Sequence, residues 1–79
     1  MSDIVIPPEL VDAQRRAEEA FRAVGAWAEG APDTLADRWA AVYQEADAAH
    51  ALRAPLVAAH GSWAVSQALG LAMRQDDNE

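Results

Sequence analysis

Two histidines, His50 and His60, stand five residues either side of Pro55, with Glu45 and Asp47 just before the first. If the chain reverses at the proline, the two rings come level on adjacent antiparallel helices. Asp47 then lies one turn from His50, and the set suits a weak zinc or nickel site. On one continuous helix, ten residues at about 1.5 Å each hold the rings about 15 Å apart, and no ion is shared. The chain has no i,i+4 histidine pair and no cysteine, so the favoured reading is a histidine that hydrogen-bonds or sits at a contact. A metal-responsive switch on His50, His60 and Asp47 is kept as an alternative, and neither a resident metal nor a cofactor is expected.

His60-Gly61-Ser62 brings a base and a hydroxyl close in sequence, but residues two apart on a helix point to different sides. There is no Gly-x-Ser-x-Gly elbow and no phosphate-cradling glycine loop. The thirteen Asp and Glu residues fall mostly on solvated faces among arginines, so no pair with a raised pKa stands out. The expectation is that the protein is not an enzyme. Trp27, Trp39 and Trp63 have the makings of an aromatic cage. Each falls on its helix's apolar stripe, so they are read as core anchors, or as a binding hot spot where one meets another subunit.

The elements that must position these groups are helical. Residues 1–7 read as an extended lead-in, because Ile6 and Pro7 each precede a proline and are pushed from helical backbone angles. Proline suits the first helical turn, so a helix is expected over about 8–29. Its small and apolar positions Leu10, Ala13, Ala17, Ala20 or Phe21, Val24 and Trp27 or Ala28 repeat at three and four. Gly30-Ala31-Pro32 breaks it, and Asp33 or Thr34 caps the next, with Thr34 to Asp37 matching a loose capping box. Helix two is expected over about 33–53 and helix three over 55–74, since interior proline costs about 3 kcal/mol. Leu35, Val42, Ala49, Leu56 and Trp63 nevertheless lie seven apart straight through Pro55, and no Gly, Asn or Ser flanks it. The alternative is a helical hairpin with one long helix kinked at Pro55. Residues 75–79 read as a disordered acidic tail. The fold class is all-α, a single-domain helical bundle.

Two short stretches resemble known families. The opening SDIVIPPELVDAQRRAEEA resembles the start of short actinobacterial proteins of unknown function, found in chromosomes and mobile elements. Those begin with Ile-Val-Ile-Pro, then Leu-Val/Ile-x-x-Gln and an Ala-rich helix. The resemblance covers about twenty residues and implies no activity. Tyr43-Gln44-Glu45-Ala46-Asp47 resembles the Tyr-x-x-x-Asp/Glu export signal of small helical hairpins secreted by type VII systems. Here it lies mid-chain, and the turn reads Trp27-Ala28-Glu29-Gly30 without the Trp-x-Gly spacing, so we read it as coincidence.

Composition sets the function class. At 79 residues one core supplies only about 3–5 kcal/mol, and without cysteine neither a disulfide nor a thiolate metal site can staple it. Oligomerisation is the common remaining remedy. A net charge of −7 repels phosphate backbones and anionic lipid, so nucleic acid is not the partner expected. All six cations are arginine and alanine fills about a quarter of the chain, as the codons of a GC-rich genome give. No secretory signal is read at the start, and the cytoplasm is expected. Ala54 to Met73 carries no charge, but Pro55, His60, Ser62, Ser66 and Gln67 make it too polar to be read as a membrane span.

That segment is apolar nearly all round, which predicts a buried helix whose remaining face a second subunit covers. The interface expected is Leu56, Trp63, Val65, Leu69 and Met73, most simply in a homodimer. Asp33, Asp37, Asp47, Arg15 and Arg22 are expected to face a protein partner. The function expected is that of a small, non-catalytic, oligomeric protein–protein interaction or regulatory module. A phage- or plasmid-type regulator that contacts or mimics DNA is the alternative from another class.

Overall fold

The computed structural model describes residues 4–77. Three α-helices follow one another, α1 over Pro8–Gly25, α2 over Leu35–His60 and α3 over Ser62–Asp77, and no strand occurs among the described residues. The chain is all-α, as its periodicity requires.

Helix α1 starts on proline. Pro7 is extended (φ −62°, ψ 143°), Pro8 occupies the first turn, and no side chain caps the helix. The Pro7 carbonyl instead accepts from the Leu10 and Val11 amides at 3.0 and 3.3 Å, meeting two of the amides a helix start leaves unpaired. Residues 4–7 are non-helical, as expected; Met1 to Asp3 lie outside the described residues. The helix ends at Gly25, four residues before the expected end at 29. Ala26 donates to Arg22 O at 3.0 Å and Trp27 to Val24 O at 3.2 Å, which tightens the last turn. Trp27 then leaves the helix to donate its indole Nε1–H to Asp33 O at 2.9 Å.

Helix α2 opens on a cap visible in the sequence, where Thr34 Oγ1 accepts from the Asp37 amide at 3.0 Å. It then runs through Pro55 without ending, which corrects the expected boundary at 53–55. Proline removes one intrahelical bond, but Ala and Leu on either side favour the helix and nothing there reverses the chain. The break falls at Gly61 (φ 89°, ψ 151°), a backbone conformation essentially confined to glycine. Its amide closes α2 on Val57 O at 2.8 Å and its carbonyl accepts from Val65 at 3.2 Å. One residue therefore ends α2 and begins α3. The kinked-helix alternative was right across Pro55 and wrong beyond His60.

Helix α3 extends to Asp77, so 75–77 are helical where a disordered tail was expected; Asn78 and Glu79 lie outside the described residues. Near that end Arg15 Nη2 donates to Met73 O at 3.0 Å, which ties α1 to α3.

The core sits where all three helices meet. Leu10, Val11 and Leu69 form its centre, with Ile6, Leu56, Ala72 and Met73 packed around them. Ala13, Ala49, Val65 and Ala68 are also buried. Far from it in sequence along α1, Phe21 meets Trp39 edge-on with ring centroids 6.0 Å apart, and Trp39 stacks on Tyr43 at 6.0 Å. Helices α1 and α2 form the main hairpin, while α3 packs on α2 and touches α1 least. The result is elongated, 49 × 28 × 18 Å with a radius of gyration of 14.6 Å, against about 11.6 Å for a compact domain of this length.

Candidate functional site

The core takes two of the residues expected at a subunit interface. Val65 is wholly inaccessible and Leu69 nearly so, while Leu56 and Met73 are half-buried at the core's edge. Val65 and Leu69 are therefore corrected from interface to subunit core. The reason is their spacing: Val65, Ala68, Leu69 and Ala72 recur at three and four, and that stripe turns inward. Trp63 falls on the opposite side of α3 and is 76% exposed. It is not a core anchor, and it alone of the five expected interface residues stands well clear of the subunit.

Two of the charged positions expected to face a partner are occupied within the fold. Asp33 receives two bonds from the Arg38 guanidinium, Nε to Oδ2 at 2.7 Å and Nη2 to Oδ1 at 3.0 Å. Arg38 Nη1 also donates to Ala23 O at 2.6 Å, so one arginine ties the end of α1 to the turn and to α2. The Arg38 hydrogen bonds hold the Asp33 carboxyl below its ordinary pKa, and the same contact raises that of the guanidinium. This corrects Asp33 from partner-facing to turn clamp. Arg15, half-buried, reaches Met73 O. Asp37, Asp47 and Arg22 are exposed. Arg16 and Glu45 pair between α1 and α2 at 3.1 Å, a surface contact worth at most about 1 kcal/mol.

His50 and His60 are exposed on one unbroken helix, ten residues and about 15 Å apart along its axis. They cannot share a metal, which removes the geometry required for the switch at those residues. No cluster of three His, Cys, Asp or Glu residues suited to a metal is found among the described residues.

Open hollows lie between the helices among the described residues. One of about 730 Å³ lies between α1 and α3, with Glu18 and Arg22 on one wall and Gln67, Gly70, Leu71 and Arg74 on the other. A second of about 390 Å³ shares Glu18 and Arg22 and continues to Ala17, Phe21 and Val42. The third, about 610 Å³, lies in the α2–α3 corner beside His50, Arg53, Ser62 and Ser66. There Arg53 Nη2 donates to Ser66 Oγ at 2.8 Å. The first two hollows share Glu18 and Arg22, and each carries one exposed apolar side chain, Leu71 at 50% and Phe21 at 59%. Neither was anticipated as a contact residue. Phe21 lay on the stripe assigned to the core, yet it lines the hollow between α1 and α2.

No described helix is long and apolar enough to cross a membrane. Compared with protein-family models, with curated proteins and with solved structures, the chain shows no match.

Proposed function

We propose that this chain is a non-catalytic helical interaction module that works in the cytoplasm as an oligomer, most simply a homodimer, and offers its remaining faces to a protein partner. The observation that carries the reading is the set of large apolar side chains that the lone subunit leaves exposed, Trp63 at 76% and Tyr43 at 65% among them. Exposed Trp63, Leu71, Phe21 and Tyr43 supply the aromatic and aliphatic anchors such interfaces use. Asp37, Asp47 and Arg22, exposed on α1 and α2, are the charged groups left to steer a partner.

Sedimentation equilibrium from micromolar to submillimolar chain tests this. The expected result is a mass twice that of the 8.5 kDa chain. A single-chain mass throughout would overturn the reading. A gel shift on duplex DNA at low salt separates it from the regulator alternative, and no shift is expected for a chain of charge −7.

A further inference from the structure

We propose that the hollow in the α2–α3 corner binds a small phosphomonoester, with the phosphoryl oxygens held by Arg53, Ser62, Ser66 and His50. The site is built within one chain, so it does not depend on self-association.

His50 and Arg53 stand three residues apart on α2, and Ser62 and Ser66 stand four apart on α3. Those spacings put each pair on one face of its helix. The joint at Gly61 brings the two faces together around one hollow of about 610 Å³. Across it Arg53 Nη2 donates to Ser66 Oγ at 2.8 Å.

The polar side chains of this hollow are donors. A guanidinium carries five N–H groups and no acceptor, and Ser66 engages one of them. A hydroxyl that accepts from arginine keeps its own hydrogen, so Ser66 still has a donor to offer, as do Ser62 and the ring N–H of His50. Among the described residues no carboxylate lines the hollow. A cation finds no anionic ligand there, whereas an oxyanion meets donors from both walls.

The charge pattern points the same way, because the acidic surplus lies elsewhere. No Asp or Glu occurs between Asp47 and Asp76. Arg38 and Arg16 already sit on carboxylates, and Arg22 stands one turn after Glu18. The residues three and four positions from Arg53 are Ala49, His50, Leu56 and Val57, so its half-buried guanidinium has no carboxylate within helical reach. An oxyanion added to this neutral partner gives charge-assisted bonds, roughly twice as strong as neutral ones.

A phosphoryl group offers three oxygens, enough to accept from both helices at once, where a planar carboxylate offers two. The group fills only part of the hollow. Ala54, Val57 and Ala58 line the rest, which suits a small apolar body esterified to the phosphate. An extended polyanion would also meet the acidic faces of α1 and α2, and the net charge of −7 repels it. The ligand is therefore small.

Nitrogen-15 NMR titration of the full chain with phenyl phosphate, benzoate and inorganic phosphate, at fixed ionic strength, tests the site. Saturable shifts are expected at the Ser62 and Ser66 amides and at Arg53 Nε. Phenyl phosphate is expected to bind at least about 10-fold more tightly than benzoate and about 3-fold more tightly than inorganic phosphate. Arg53→Gln is expected to weaken it at least about 10-fold with the helical circular dichroism signal retained. Arg16→Gln makes the same charge change elsewhere and is expected to leave affinity within about two-fold. Ser62→Ala with Ser66→Ala, both exposed positions, gives a second loss that does not depend on how Arg53→Gln folds. No saturable shift up to about 50 mM phenyl phosphate, or equal losses in Arg16→Gln and Arg53→Gln, would overturn the site. Benzoate binding as tightly would overturn the phosphoryl assignment, and inorganic phosphate binding as tightly would overturn the apolar body. None of these readouts is the molecular mass, so such a failure leaves the interaction module standing.

Discussion

Val65 decides between a helix α3 that builds the subunit and one that serves chiefly to join subunits. Its side chain is wholly inaccessible within a single chain. Val65→Ala removes two carbon atoms from that site, about 1.6 kcal/mol of transfer free energy, and the unfilled space raises the cost to about 2 kcal/mol. A core of this size supplies about 3–5 kcal/mol in all, so roughly half of the stability is lost. At 4–8 °C per kcal/mol for a domain of 60–100 residues, the melting temperature falls by about 10 °C. The assay is thermal unfolding by circular dichroism at a dilution where the parent is monomeric, with Trp63→Ala beside it. Trp63→Ala is expected to melt within about 0.5 kcal/mol of the parent, because exposed positions contribute little to a lone subunit. If Val65→Ala melted with the parent at that dilution and lost stability only when concentrated, Val65 would be an interface residue and the assigned core would be wrong.

Two further predictions concern the joints. Gly61→Ala is expected to destabilise the chain by about 1–3 kcal/mol in urea titrations, from backbone strain at φ 89° and without a clash, since nothing lies within 4 Å of the added carbon; a gain in stability, as at an ordinary helical glycine, would refute the joint. The Asp33 carboxyl is held below its ordinary value of 3.8 by the Arg38 hydrogen bonds, so its contribution is complete above that pH and is lost as pH falls through the lowered folded value. Melting curves taken from about pH 6 down to about pH 2 should show an acid-dependent loss that shrinks in Asp33→Asn, and an equal pH slope in both proteins would refute the clamp.

Much of the fold was legible because it is set by local chemistry. Proline at the start of α1, the Thr34 cap and the three-and-four spacing of small residues act within one or two turns, so the residues themselves specify them. Pro55 misled for the opposite reason. Its local penalty is real, but one missing bond competes with a long run of good helix formers and a set of apolar positions in register across it. Gly61 carried the stronger signal, because it can both close one helix on Val57 and open the next toward Val65.

The sequence by itself determined that this chain is helical, acidic, free of cysteine and richer in apolar residues over Ala54 to Met73 than one face of a helix can use. Only the tertiary structure decided which of those residues are hidden. Val65 and Leu69 went to the core and Trp63 to the outside because the angle between α2 and α3 is set at Gly61. A periodicity that is apolar nearly all round does not say which side turns inward. The same holds for Asp33, whose carboxylate reads as a surface charge until folding brings in the guanidinium of Arg38. Contacts between helices depend on how the helices cross, which no single helix encodes.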